Sequence, residues 1–174
     1  MIPQDEPHEA VAQLFRMYSN DVFRYARLTL GNHTEAKDVV QEVFFRAFRS
    51  WSTFRQDSNP KTWLLSITRN YIVDLLRKKR REQKFMAKYE PPSIKDETVS
   101  TETMMILEQS LHELKTTYRE VFILRHIEGL SIQETAKLLG CSEGKIRTTD
   151  YRAIHKLREL MGSDGMEVNF NNEC

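Results

Sequence analysis

The chain has 174 residues, 40% apolar and 29% charged, with only 6 Gly and 5 Pro. That length suits one ordinary domain or two small ones, and abundant Leu, Arg, Glu, Lys, Ala and Met beside so few breakers argue against a loop-rich β fold and for helix. The net charge of +1 becomes informative only when divided: residues 1–88 carry 16 basic and 10 acidic side chains, 89–117 carry 2 and 6, 118–160 carry 8 and 6, and 161–174 carry three acids and no base. Two basic modules flanking an acidic stretch is the simplest reading. No apolar run is long enough to span a bilayer. The opening MIPQDEPHEA is acidic and polar, unlike a signal peptide. Cys141 and Cys174 make neither a metal spacing nor a disulfide framework, so a reducing cytoplasm is the simplest compartment.

In chain order, Val11, Leu14, Phe15, Tyr18, Val22, Phe23, Ala26 and Leu30 recur at spacings that share one helix face, and Gly31-Asn32 ends that helix. Thr34 offers an N-cap for a second helix, followed by Glu35. Its stripe is Ala36, Val39, Val40, Val43, Phe44, Ala47 and Phe48, and its other face carries Lys37, Asp38, Gln41, Glu42, Phe45, Arg46 and Arg49. The segment SWSTFRQDSNPKTW is a predicted loop, and Pro60 suits the first turn of a third helix over about 61–81. That helix presents Trp63, Leu64, Ile67, Tyr71, Leu75 and Leu76 and ends in RKKRR. Trp63 and Tyr71 read best as core packing; five adjacent cations repel one another strongly enough to favour a polyanion partner over a solvated helix end.

Periodicity is lost over residues 82–100, where a Pro-Pro and polar residues read as a linker. Pattern resumes near Thr103: Leu107, Leu111 and Leu114 predict one short helix, and Tyr118, Val121, Phe122, Leu124 and Ile127 another, ended by Gly129. The stretch SIQETAKLLGCSEGKIRTTDYRAIHKL then reads as two helices about a tight turn. Ser131 and Glu134 have capping-box spacing, Gly140 sits at the turn, and Ser142 caps the second helix. Ile132, Ala136 and Leu139 face inward from the first, and Ile146, Ala153, Ile154 and Leu157 from the second; Cys141 reads as a small buried hydrophobe. The outward set Lys145, Arg147, Thr148, Thr149, Tyr151 and Arg152 has the chemistry to meet phosphates and base edges. Asp150 counts against DNA contact unless paired. The alternative is a solvated helical hairpin with incidental cations. Residues 161–174 read as a disordered tail in which Cys174 is an exposed thiol, with a redox role the lesser reading.

Taken together, AKDVVQEVFFRAF (36–48), FRQDSNPKTWLLSITRNYIVDLLRKKRR (54–81) and LKTTYREVFILRHIEGLSIQETAKLLGCSEGKIRTTDYRAIHKL (114–157) resemble, in order, motifs of the extracytoplasmic-function (group 4) sigma factors of bacterial RNA polymerase. The resemblance covers about residues 10–160. It implies an all-α fold of two small helical domains joined by a flexible linker: a region 2 bundle at 8–84, a linker at 85–102, and a region 4 helix-turn-helix at 103–160. It implies that Asp38, Gln41, Glu42 and Phe45 meet the clamp helices of the polymerase's largest subunit, and that the polymerase flap is a further contact. Of the minus-ten residues it implies, Phe54, Asp57, Ser58, Asn59 and Asn70 read a flipped base, and Arg55, Lys61, Arg69 and Arg77 also contact the DNA. The minus-thirty-five residues would be Ser142, Lys145, Arg147, Thr148, Thr149, Tyr151 and Arg152. An anti-sigma factor is implied as a further partner. The recognition helix departs from the family's usual Gly-Thr-Val-Lys-Ser-Arg-Leu: Thr149 stands for the Arg and Asp150 for the apolar residue.

The competing reading is an ordinary helix-turn-helix regulator, against which stands the loop-plus-basic-helix unit at 54–81. Enzyme activity finds no support, since His8, His33, His112, His126 and His155 lack metal-ligand spacing and no Gly-rich phosphate loop occurs. No cofactor or metal is expected.

Overall fold

A computed structural model describes residues 7–54, 59–85 and 102–162. Among these, the regular structure is helical throughout, and the chain divides into two compact units between Glu97 and Thr98.

In the first unit, α1 (Pro7–Leu30) packs against α2 (His33–Arg49), and both pack against α3 (Pro60–Phe85). Pro7 opens α1, where a missing N–H has no intrahelical partner to lose. Ala10, Val11, Leu14, Val22, Tyr25, Ala26 and Leu28 are buried. Phe15, expected inward, is 47% exposed and meets the Phe44 ring edge-on at 4.9 Å. Gly31 ends α1 with φ of 71°, its N–H donating to the Arg27 carbonyl at 2.7 Å. The cap of α2 is Asn32 rather than Thr34. The backbone at Asn32 is extended, and its side-chain oxygen accepts from the Glu35 N–H at 2.9 Å. The left-handed glycine turns the chain so sharply that the next helix starts two residues later, leaving Thr34 inside its first turn.

α2 buries Ala36, Val39, Val43, Phe44 and Ala47. A single 3-10 turn, Trp51–Thr53, follows. Asn59 caps α3, its side-chain oxygen accepting from the Lys61 N–H at 2.9 Å. α3 runs four residues beyond the expected end at Arg81. Its fully buried positions are Leu64, Leu65, Thr68 and Ile72. The Thr68 hydroxyl donates to the Leu64 carbonyl at 2.7 Å, so no polar group is orphaned there. Two ion pairs tie the long helix to its neighbours: Lys61 to Asp21 of α1 at 3.1 Å, and Lys79 to Glu35 of α2.

The second unit comprises α4 (Glu102–Glu113), α5 (Thr116–Phe122), a π-turn at Ile123–Ile127, α6 (Ile132–Leu139) and α7 (Glu143–Met161). The Arg119 guanidinium donates to the carbonyls of Leu111, His112 and Leu114 at 2.7, 2.8 and 3.2 Å, closing the C-terminus of α4 with the charge its dipole favours. Partial burial, with Arg119 beside it, holds the His112 imidazole below its usual pKa. Val121, Phe122, Ile123 and Leu124 are buried in succession. No single α-helical stripe accommodates four adjacent residues, and here the helix widens so that the Glu128 N–H reaches the Ile123 carbonyl at 2.8 Å. Each fully buried Phe, Ile or Leu contributes roughly 1.5–3 kcal/mol.

Candidate nucleic-acid interface

The pair α6–α7 forms a capped helix-turn-helix. The Ser131 hydroxyl accepts from the Glu134 N–H at 3.1 Å and the Glu134 carboxylate accepts from the Ser131 N–H at 2.8 Å, completing the capping box. Gly140 lies at φ of 65°, in left-handed space that a side chain strains, and the Cys141 N–H closes on the Ala136 carbonyl at 3.0 Å. The Ser142 hydroxyl accepts from the Lys145 N–H at 3.3 Å. Ile146 joins Val121 and Ala136 in the core, with Ile132, Leu139 and Cys141 packed against them. Ile146, Ala153 and Leu157 make the buried seam of α7, and Ile154 is half-buried.

At about 100° per residue, Lys145, Arg147, Thr148, Tyr151 and Arg152 project away from that seam, and all five are exposed. Tyr151 is 72% exposed. Thr149 is half-buried at the flank. The Arg147 guanidinium donates to Glu143 at 3.1 Å and the Thr148 hydroxyl to the Gly144 carbonyl at 3.0 Å; both are local contacts.

Asp150 does not face outward with this set. It lies on the seam side, where its carboxylate is 2.7 Å from Nε2 of His126 and 3.7 Å from Nε of Arg125. The side chains of Asp150 and His126 are each 14% exposed. Arg125 also donates through its terminal nitrogen to the Leu130 carbonyl, while its buried Nε makes an ion pair too long to be a hydrogen bond. The sequence flagged Asp150 as counting against DNA contact unless paired; the structure turns it away from the cationic face and pairs it. Arg125 and His126 were not recognised beforehand. Their partner stands 24 or 25 residues away across a turn, beyond any helical periodicity.

In the first unit, Asp38, Gln41 and Phe45 lie exposed on α2, with Phe45 at 55%. Glu42 is half-buried and accepts from Nε of Arg46 at 2.7 Å. Arg46 in turn lies over the Tyr71 ring at 4.6 Å, linking this face to α3.

The expected minus-ten residues are less uniform. Phe54 is half-buried, stacked on Trp51 at 5.2 Å and against Trp63 at 4.7 Å, so it belongs to an aromatic trio rather than standing free. Asn59 uses its side-chain oxygen as a cap, and Lys61 is held by Asp21. Arg69 is half-buried, Asn70 exposed, and Arg77 exposed 3.8 Å from Asp74. Arg77, Arg80 and Arg81 line an open pocket with Asp74. Arg55, Asp57 and Ser58 lie outside the described residues, as do most of the expected linker and tail. Among the described residues, no cluster of His, Cys, Asp and Glu could hold a metal, and no helix is long and apolar enough to cross a membrane.

Comparisons with known proteins agree on what this arrangement resembles. The Sigma-70 region 2 family model matches residues 14–82 and the Sigma-70, region 4 model matches 104–157. The chain is 31% identical over 163 residues to the ECF RNA polymerase sigma factor SigX of Bacillus subtilis, covering 88% of this chain and 84% of that protein. It is also 31% identical over 160 residues to the ECF RNA polymerase sigma factor SigM of Mycobacterium tuberculosis, covering 92% and 81%. Among solved structures, the sigma factor RpoE in complex with the anti-sigma factor NepR from Bartonella quintana superposes with a TM-score of 0.79 at 27% identity, covering 88% of this chain and 98% of that one.

Proposed function

The chain belongs to the extracytoplasmic-function sigma factors of the sigma-70 family, and from that membership we propose how its surfaces divide the work of promoter-specific initiation. It binds core RNA polymerase, recognises the minus-thirty-five element as duplex DNA and opens the minus-ten element, under the control of an anti-sigma factor. It acts in the cytoplasm, and the nucleotidyl transfer itself belongs to the polymerase. Residues 8–84 serve as region 2 and 103–160 as region 4, with 85–102 as linker.

The observation that carries this reading is that both region models match, in order, along one chain. A helix-turn-helix regulator would need only the second. Local geometry supports the assignment of surfaces. On α2, Phe45 is a large apolar group held in solvent beside Asp38, Gln41 and Glu42, a composition that suits a basic partner helix with an apolar anchor. On α7, exposed cations and hydroxyls stand opposite the buried seam, at the N-terminal half of the helix that enters a major groove. On α3, Asn70, Arg77 and the following cations supply phosphate and base contacts, while Phe54 and Lys61 support the approach from packed positions. A stacking role for Phe54 requires the trio with Trp51 and Trp63 to open.

Retention of core polymerase on the tagged full-length chain tests the reading. Phe45→Ser should weaken that binding about tenfold, the cost of losing one buried anchor, and leave the melting temperature unchanged because the ring is already exposed. No binding to core, together with tight binding of the chain alone to palindromic duplexes, would overturn the reading in favour of a regulator.

A further inference from the structure

Asp150 occupies a place on α7 where an apolar side chain would complete the seam between Ile146 and Ala153. Apolar burial is non-directional, and with only Ile146, Ala153 and Leu157 fully buried the seam resists rolling of the helix about its axis weakly. A hydrogen bond is directional. The 2.7 Å contact between Asp150 and His126, in a site where each side chain is 14% exposed, admits only a narrow range of rotations. Arg125 extends the same link, since it faces Asp150 and also donates to the carbonyl of Leu130, the residue before the cap of α6. One π-turn therefore holds both helices of the helix-turn-helix.

We propose that Asp150, fixed by His126 and Arg125, is a positioning residue that sets the rotation of α7 and thereby its base selectivity. The proposal rests on the reading of α7 as the minus-thirty-five helix. The magnitudes support it. With side chains ending about 5–6 Å from the helix axis, a roll of about 20° displaces each tip by roughly 2 Å. A base-edge hydrogen bond tolerates a few tenths of an ångström. Phosphate contacts from flexible Lys and Arg side chains tolerate such a shift far better, so a loosened α7 keeps affinity and loses discrimination. A buried polar group that specifies register at some cost in stability is a known use of such pairs.

The test is transcription by core polymerase with the full-length chain from a promoter library randomised at the minus-thirty-five element. The unmodified chain should enrich a defined sequence. Asp150→Leu should reduce that enrichment about tenfold, beyond what any fall in melting temperature accounts for, while total transcription holds, and Asp150→Asn, which keeps the shape and a hydrogen bond to His126, should restore it. Should Asp150→Leu unfold, the double variant His126→Leu with Asp150→Leu replaces the pair by apolar groups and carries the same expectation. Leucine variants that enrich the same sequence as strongly as the unmodified chain would overturn the proposal alone. Loss of enrichment only in proportion to lost stability, unrescued by Asp150→Asn, would also overturn it. An unmodified chain with no minus-thirty-five preference would overturn the underlying reading of α7 and the proposal with it.

Discussion

Ser131 satisfies one of the free N–H groups at the start of α6, while Glu134 satisfies the N–H of Ser131 itself. Ser131→Ala removes the hydroxyl acceptor and should cost about 1 kcal/mol. That free energy corresponds to a roughly fivefold larger opening equilibrium for the capped helix, readable as faster amide exchange across residues 132–139. Both tryptophans, Trp51 and Trp63, lie in the first unit, so the fluorescence transition on urea denaturation should stay where it is. A fluorescence midpoint that moves with this substitution would contradict the division into two units. This capping box was legible from spacing alone, because Ser and Glu three apart before an apolar run have few other uses. The cap of α2 was not. Asn32 and Thr34 both have capping side chains, and the choice depends on the backbone that Gly31 imposes. Asp150 is the sharper case: its chemistry was visible as an oddity, but its meaning required His126 to be found beside it.

Among the helices, α2 was the most legible. One face is buried continuously and the other presents charge and Phe45, so periodicity alone separated core from surface. α5 and its π-turn were less so, since four consecutive buried residues defeat any stripe, with α7 packed on α5 and α6 on the π-turn. α3 lies between these. Its large aromatic Trp63 is half-buried beside the buried Trp51 rather than at the centre of the core, which falls on Leu64 as expected and on Leu65 and Ile72. On α7, the exposed cations make a separable prediction. Lys145 reaches phosphate in the proposed geometry, so Lys145→Ala should weaken holoenzyme binding to minus-thirty-five duplexes about equally across sequences. It should also reduce the slope of log affinity against log salt by about one. A change in sequence preference with the slope intact would instead make Lys145 a base-reading residue.

At the scale of the whole chain, the charge pattern anticipated two basic modules about an acidic stretch, and the division between Glu97 and Thr98 falls within that stretch. A helix-turn-helix alone would have been a weak guide to function, because many regulators carry one. The Sigma-70 region 2 match over residues 14–82 distinguishes a sigma factor from such a regulator. Even so, the surroundings of the residues expected to meet minus-ten DNA were only partly readable: Phe54 is packed, Asn59 is a cap and Lys61 is paired. The Asn59 cap is local, whereas Lys61 and Phe54 take their roles from Asp21 of α1 and from Trp63, contacts that no local pattern encodes.

As a sigma factor, this chain confers promoter choice on RNA polymerase. The most direct measurement is transcription from a supercoiled library of bacterial upstream DNA by purified core polymerase, with and without the full-length chain. Discrete transcripts that require the chain, starting at a fixed distance downstream of two shared sequence elements, are the predicted result. Transcription indifferent to the chain, alongside tight binding of the chain alone to duplex sites, would contradict it.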